Sequence, residues 1–153
     1  MAAPEGLPGE FRYARRVQFA ETDLAGIVHF SWYFRYMEEA EHALWRAAGL
    51  TIARAGETMG WPRISASFDY TRPLHFEDEI EVRVRIAAVE ERTIRYAVTI
   101  VRGDTTIGRG SMRIACVRKQ PGTAMASMDV PEDVVAGLRR VLEGFRKGSE
   151  EVQ

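Results

Sequence analysis

The chain has 153 residues, 46% hydrophobic and 28% charged, which excludes the disordered and fibrous classes and suits one domain able to bury its own core. A formal net charge of −1 excludes a general nucleic-acid binder, which needs an excess of Lys and Arg to displace counterions. Cys116 is the only cysteine, so no internal disulfide forms, no Cys/His cluster has zinc spacing, and a reducing cytoplasm is the expected setting.

Residues 1–10 contain no apolar core segment, so they read as a disordered tail and not as a secretory signal. No apolar run is long enough to insert into a bilayer. Over residues 11–20, Phe11, Tyr13, Val17 and Phe19 share one parity and Arg12, Arg16 and Gln18 the other, the pattern of a half-buried strand. That strand delivers the chain to a polar turn, Glu21 to Phe30. From Ser31 onward Tyr33, Met37, Ala40, Leu44 and Ala47 recur at intervals of three and four, the stripe of an amphipathic helix that Gly49 stops. Such a helix spans roughly 25 Å, enough to cross a small sheet. Trp32, Phe34 and Trp45 fall outside the stripe and invite self-association. Residues 51–59 read as a short helix ending at Gly60.

Beyond Pro62 the period changes to two. Ile64, Ala66, Phe68 and Tyr70 alternate with polar residues, as do Val82, Val84 and Ile86, then Tyr96, Val98 and Ile100, then Met112, Ile114 and Cys116. Short connections at residues 73–78, 89–92 and 103–104 imply an antiparallel meander whose single apolar face the long helix covers. Asp129 as a cap, Pro131 in the first turn and Val134, Val135, Leu138, Val141, Leu142 and Phe145 at helical spacing predict a second helix over 131–146. Residues 11–146 therefore form one α+β domain, followed by a tail over 147–153.

Chemistry concentrates where the first strand meets the long helix. Asp23 supplies a carboxylate just upstream, and the amides near His29, Phe30 and Ser31 open a helix whose first turn has unpaired N–H groups and a positive dipole end. Thioester hydrolysis needs those two things: a group that attacks the carbonyl carbon or activates water, and donors where negative charge develops on oxygen. Gly26 lets the backbone turn sharply. His29 stands open between polarising a substrate and a local hydrogen bond. Glu38 and Glu39 read as solvated or paired helix carboxylates, and His42, His75 and Cys116 as structural.

The run Asp23-Leu24-Ala25-Gly26-Ile27-Val28-His29-Phe30, with Tyr33 and the helix carboxylates after it, resembles the signature of the 4-hydroxybenzoyl-CoA thioesterase-like acyl-CoA thioesterases. The resemblance implies the hotdog fold, a five-stranded antiparallel sheet wrapped around one long helix with a C-terminal helix beyond. It implies that Asp23 is the catalytic carboxylate, as nucleophile or general base, and that the Phe30 backbone amide polarises the thioester carbonyl. Gly26, Ile27, Val28 and Tyr33 then line the substrate site, and Arg92 and Arg113 match places where the family keeps basic residues for the nucleotide. On the residues alone those two arginines solubilise the exposed sheet face equally well. The implied partners are an acyl-CoA substrate and further copies of the chain, as a homodimer or homotetramer with the site at the subunit boundary, and neither metal nor cofactor is called for. Acyl carrier protein in place of CoA, or a non-catalytic acyl-CoA-binding module, stand as alternatives.

Overall fold

The computed structural model describes residues 5–53 and 56–151. In chain order the elements are β1 (Phe11–Arg16), a 3-10 turn (Phe19–Glu21), α1 (Trp32–Ala47), β2 (Met59–Gly60), β3 (Arg63–Tyr70), β4 (Glu79–Val89), β5 (Thr93–Arg102), β6 (Thr105–Ala115), β7 (Val117–Arg118), β8 (Ala126–Ser127) and α2 (Glu132–Glu151). The period-two stretches pair antiparallel into one five-stranded sheet ordered β1-β4-β5-β6-β3. The expected meander holds only from β4 to β6. Strand β1 occupies the free edge of β4, from Phe11 opposite Val84 to Arg16 opposite Glu79, so β3 takes the outer edge of β6.

Alternation puts Ile80, Val82, Val84, Ile86, Ile94, Tyr96, Val98, Ile100, Met112 and Ile114 on one buried face. Helix α1 lies against that face through Tyr33, Tyr36, Met37, Ala40, Leu44 and Trp45. Its stripe is wider than the sequence spacing suggests. Tyr36, Glu41 and Trp45 are buried, whereas Ala47 is exposed beside the terminus. Trp45, expected at an outer surface, is 1% exposed because its indole N–H donates to the Tyr96 hydroxyl at 2.9 Å inside the core. Trp32 and Phe34 are only partly buried. Close approach of β3, β6 and α1 depends on glycine: a Cβ on Gly110 would stand 2.6 Å from the Ser67 carbonyl oxygen and 2.8 Å from the Met37 sulfur. Cys116 is buried, as its strand parity implies.

Four other expectations change. Residues 51–59 form no helix among the described residues; Met59 and Gly60 instead pair with Val117 and Arg118, and β8 completes a small second sheet. Arg54 and Ala55 lie outside the described residues. Phe19, on the inward parity of β1, is 73% exposed, because the strand ends at Arg16 and the 3-10 turn rotates the side chain outward onto Phe76. The described part of the expected disordered tail is packed: the Leu7 amide donates to Ile86 O at 3.0 Å and the Val89 amide to Glu5 O at 3.0 Å, with Leu7 buried. Residues 1–4 lie outside the described residues. Helix α2 continues through the expected C-terminal tail to Glu151.

One polar pair lies within this apolar packing. Glu41 on α1 is 0% exposed and accepts from Arg63 Nη2 of β3 at 2.8 Å, while its second oxygen has no hydrogen-bond partner among the described residues. Deleting one member of a buried pair leaves an uncompensated charge, which costs more than the pair is worth. Arg63→Met is therefore expected to lower the unfolding free energy by about 3–5 kcal/mol in urea titrations. Adding Glu41→Leu should recover much of that loss; a single-variant loss below about 1 kcal/mol would mean the carboxylate finds other solvation.

Candidate active site

Residues 21–31 fold back on themselves before the helix begins. Thr22 and Val28 bridge antiparallel, the Asp23 amide donates to Ile27 O at 2.9 Å, and the Gly26 amide donates to Asp23 O at 3.0 Å. Gly26 closes this turn at φ 80°, a conformation glycine adopts without strain. Asp23 Oδ1 accepts the Ala25 amide at 2.8 Å, an Asx turn. Its other oxygen, Oδ2, makes no hydrogen bond among the described residues. The Val28 amide donates to Leu74 O at 2.8 Å, so the loop is fastened to the connection between β3 and β4.

Those fastenings create a cleft of about 450 Å³ lined by Asp23, Ile27, Val28, Phe30, Tyr33, Tyr70, Thr71, Arg72 and Pro73. This lies within the range of small-molecule sites. Its back wall is aromatic: Tyr33 and Tyr70 meet edge to face with ring centres 4.9 Å apart, and both pack on Phe68. Phe30 precedes the first turn of α1, and among the described residues its backbone N–H has no hydrogen-bond acceptor. Asp23, with one carboxylate oxygen unpaired, Phe30, with its amide unpaired, and an aromatic wall thus line one cavity.

Residues 17–138 match the thioesterase-like superfamily. A protein of Aquifex aeolicus (strain VF5) named "Putative esterase" is 33% identical over 131 residues, covering 84% of this chain and 98% of its own length. A 1,4-dihydroxy-2-naphthoyl-CoA hydrolase of Nostoc punctiforme is 26% identical over 150 residues, covering 93% of this chain and 98% of that protein. The chain belongs to the thioesterase-like superfamily. The crystal structure of a 1,4-dihydroxy-2-naphthoyl-CoA thioesterase from Synechocystis superposes with a TM-score of 0.77 at 21% identity, covering 85% of this chain and 96% of that one. The fold is the hotdog fold, and the protein is a thioester hydrolase.

Of the residues singled out in the sequence of this thioesterase, Asp23, Ile27, Val28, Phe30 and Tyr33 meet in the cleft. Gly26 shapes the loop without lining it. His29 is engaged locally: its Nδ1 lies 2.8 Å from Ser31 Oγ, and its ring stacks against Phe30. Arg92 and Arg113 lie elsewhere. Arg113 pairs with Ser65 near the start of β3, whereas Tyr70 pairs with Gly108, roughly 17 Å away along the ladder. Arg92 is ion-paired with Asp129 at 3.3 Å and Arg113 with Glu90 at 3.2 Å. Glu39 accepts from Tyr13 and Arg15, and Glu38 lies 3.6 Å from Arg63, so neither uses His42. Tyr70, Thr71, Arg72 and Pro73 were not identified in advance, because they reach the cleft by strand pairing and not by sequence proximity. Among the described residues no three His, Cys, Asp or Glu side chains cluster as metal ligands. No described helix is long and apolar enough to cross a membrane.

Behind the cleft lies a charged residue that the sequence reading passed over. Glu21 is 2% exposed, and its carboxylate accepts from Arg15 Nη1 at 2.6 Å and Nη2 at 2.5 Å, the Gln18 amide at 2.9 Å and the Tyr36 hydroxyl at 2.7 Å. Burial alone would raise the Glu21 pKa; the Arg15, Gln18 and Tyr36 donors outweigh it and hold the carboxyl below its ordinary 4.5. Burial and the Glu21 hydrogen bond push the Tyr36 hydroxyl strongly up. Because the folded-state value of Glu21 is depressed, its stabilisation is complete above pH 4.5 and is lost as pH falls through the folded value. Glu21→Gln should therefore be less stable than the native protein at neutral pH, with the gap closing on acidification below 4.5. Paired thermal melts from pH 7 to pH 3 check this, and a gap that stayed constant would show that the charge of Glu21 is not what stabilises the fold.

Proposed function

We propose that this enzyme hydrolyses an aromatic acyl-CoA thioester to the free carboxylic acid and CoA, with Asp23 as the catalytic carboxylate and the Phe30 amide as oxyanion donor. The observation that carries the reading is that Asp23, with one oxygen unpaired, and Phe30, with its N–H unpaired, line one aromatic-walled cleft. Attack at the thioester carbon turns the carbonyl oxygen into an anion, and a preset N–H with the positive end of α1 behind it stabilises that charge more than it stabilises the ground state. Asp23 serves either by attacking directly, giving a mixed anhydride that water then opens, or by taking a proton from the attacking water; both expel the CoA thiolate. Aromatic acyl specificity is supported by the stacking surfaces of Tyr33 and Tyr70, and by relatives named for the 1,4-dihydroxy-2-naphthoyl thioester. Arg72 lies at the cleft with no carboxylate in ion-pair distance among the described residues, suited to an anionic group of the substrate.

The working form is a homodimer. Strand β3 is an unpaired sheet edge on which Ile64 and Tyr70 are 51% and 47% exposed. Joining two such edges antiparallel would satisfy the free backbone groups and set the Arg63 end of one copy beside the Tyr70 end of the other. Arg113, remote from its own cleft, would then come close to its neighbour's. The buried lone Cys116 is in keeping with a reducing cytoplasm.

Thiol release from a panel of acyl-CoA thioesters, aliphatic through aromatic, tests the activity. Turnover is expected to favour aromatic acyl groups and to fall at least about a hundredfold in Asp23→Asn. Asparagine retains an oxygen for the Ala25 amide, so the Asx turn survives and only the charge is lost. Unchanged turnover in that variant would remove Asp23 from the mechanism, and binding without turnover on any thioester would make the protein a binding module. Sedimentation velocity should give twice the chain mass of 17.3 kDa, or a multiple of that; a monomer would overturn the interface.

A further inference from the structure

The Phe30 amide can stabilise an oxyanion only if the residue is held still on both sides, and neither the Phe30 side chain nor the Ser31 cap does that. Ser31, which precedes the first helical residue, makes no side-chain cap, and Phe30 itself is exposed. The peptide that carries the Phe30 N–H is held through its own carbonyl, His29 O, which accepts the Trp32 amide at 3.0 Å, and the residue before it by the His29 amide on Glu21 O at 2.9 Å. The following peptide, Phe30–Ser31, is constrained from across the cleft: the Tyr70 hydroxyl donates to the Phe30 carbonyl at 2.8 Å.

Tyr70 is well placed to act as an anchor. It is the last residue of β3, held in register opposite Gly108, where a Cβ would stand 2.5 Å from both the Asp69 carbonyl oxygen and the Phe68 ring. Just beyond it the Thr71 and Arg72 amides both donate to Ile107 O, at 2.9 and 3.1 Å, which pins the strand end. The Tyr70 ring packs edge to face on Tyr33, itself in the core, and on Phe68, each at 4.9 Å between centres. Ring and backbone are thus both constrained, which restricts where the hydroxyl can point.

Building on the thioesterase reading above, we infer that Tyr70 is a positioning residue: its hydroxyl tethers the carbonyl of the Phe30–Ser31 peptide to the rigid end of β3, and with the Trp32 bond to His29 O on the other side it holds residue Phe30, and so its amide, in place for the developing oxyanion. The ring is a wall of the substrate cleft, and the hydroxyl is a restraint on the donor. These two roles are separable by substitution.

Tyr70→Phe keeps the ring and removes the tether. It should lower kcat about ten- to a hundredfold, less than the ~10²–10³ lost when an oxyanion donor is deleted outright, with KM within about twofold of native. Tyr70→Leu removes the wall as well and should raise KM in addition. The second readout needs no turnover: in amide NMR spectra, Tyr70→Phe should shift the Phe30 and Ser31 signals and leave Gly26, at the far side of the loop, in place. An unchanged kcat with unmoved Phe30 and Ser31 signals would overturn the tether, as would a change confined to KM, which a wall alone would give. Were the native protein inactive on every thioester, the catalytic reading would fall while the Phe30 amide signal would still decide the tether.

Discussion

The arrangement of the active site depends on a carboxylate that touches no part of the cleft. Glu21 is buried where β1, the 3-10 turn and α1 meet, and each contributes a donor to it: Arg15 from the strand, the Gln18 amide from the turn, Tyr36 from the helix. Removing a carboxylate from water costs several kcal/mol, and only a charged, bidentate partner with its remaining lone pairs filled offsets that. Arg15 meets the condition. Its guanidinium sits over the Tyr36 ring at 4.4 Å and its Nε donates to Glu39 at 2.8 Å, so it too is fixed on several sides. The Glu21 carbonyl then accepts the His29 amide, which fixes the return limb of the Asp23 loop to the same point. A side chain outside the cleft therefore supplies the reference frame for the carboxylate and the amide to which the catalytic roles are proposed.

Helix α1 is held against rotation by a second polar pair on another part of its surface. Tyr36 and Glu39 face the Glu21 cluster, whereas Glu41 reaches Arg63 on β3 at the opposite edge of the sheet. Apolar packing alone tolerates small changes of register, because Leu, Met and Ala contacts are non-directional. Turning the helix by one residue, about 100°, would break both polar clusters at once. The two clusters differ in quality. Glu21 is fully satisfied, while Glu41 leaves one oxygen without a partner, so the first stabilises outright and the second acts mainly by making alternatives worse.

How much of this could be read beforehand follows from how local each feature is. The sheet was legible because burial on one face imposes period two on each strand, and Val82, Val84 and Ile86 keep that period without a break. Strand order was not, since the edge of β4 is claimed by residues some 70 positions earlier. Asp23, Ile27, Val28, Phe30 and Tyr33 lie within one short run, so whatever folds that run brings them together; Tyr70 to Pro73 arrive by pairing with β6 and carry no signature of their own. Trp45 was placed outside the stripe and Glu41 passed over for one reason: a wide helix stripe admits a residue whenever a partner waits inside, here Tyr96 and Arg63, and no local pattern announces the partner. Arg92 and Arg113 were grouped with the site by the family resemblance; neither lines the cleft of its own chain, and the ladder sets Arg113 at the far end of β3 from Tyr70.

Asp23 shows why a structural and a catalytic reading of the same residue need not compete. An aspartate ahead of a helix is ordinarily a turn residue, and Asp23 is one: Oδ1 accepts the Ala25 amide and shapes the loop. That bond fixes the carboxylate plane, and with it the direction of Oδ2, so the turn orients the oxygen available for chemistry. The same logic applies at Phe30, whose carbonyl accepts the Tyr70 hydroxyl while its own N–H, on the preceding peptide, has no acceptor among the described residues. Both groups combine one satisfied atom with one unsatisfied atom. In the proposed mechanism the satisfied atom lowers the entropy lost when substrate binds, and the unsatisfied one gains a partner only as negative charge develops or a proton moves, which is the condition for stabilising a transition state above its ground state.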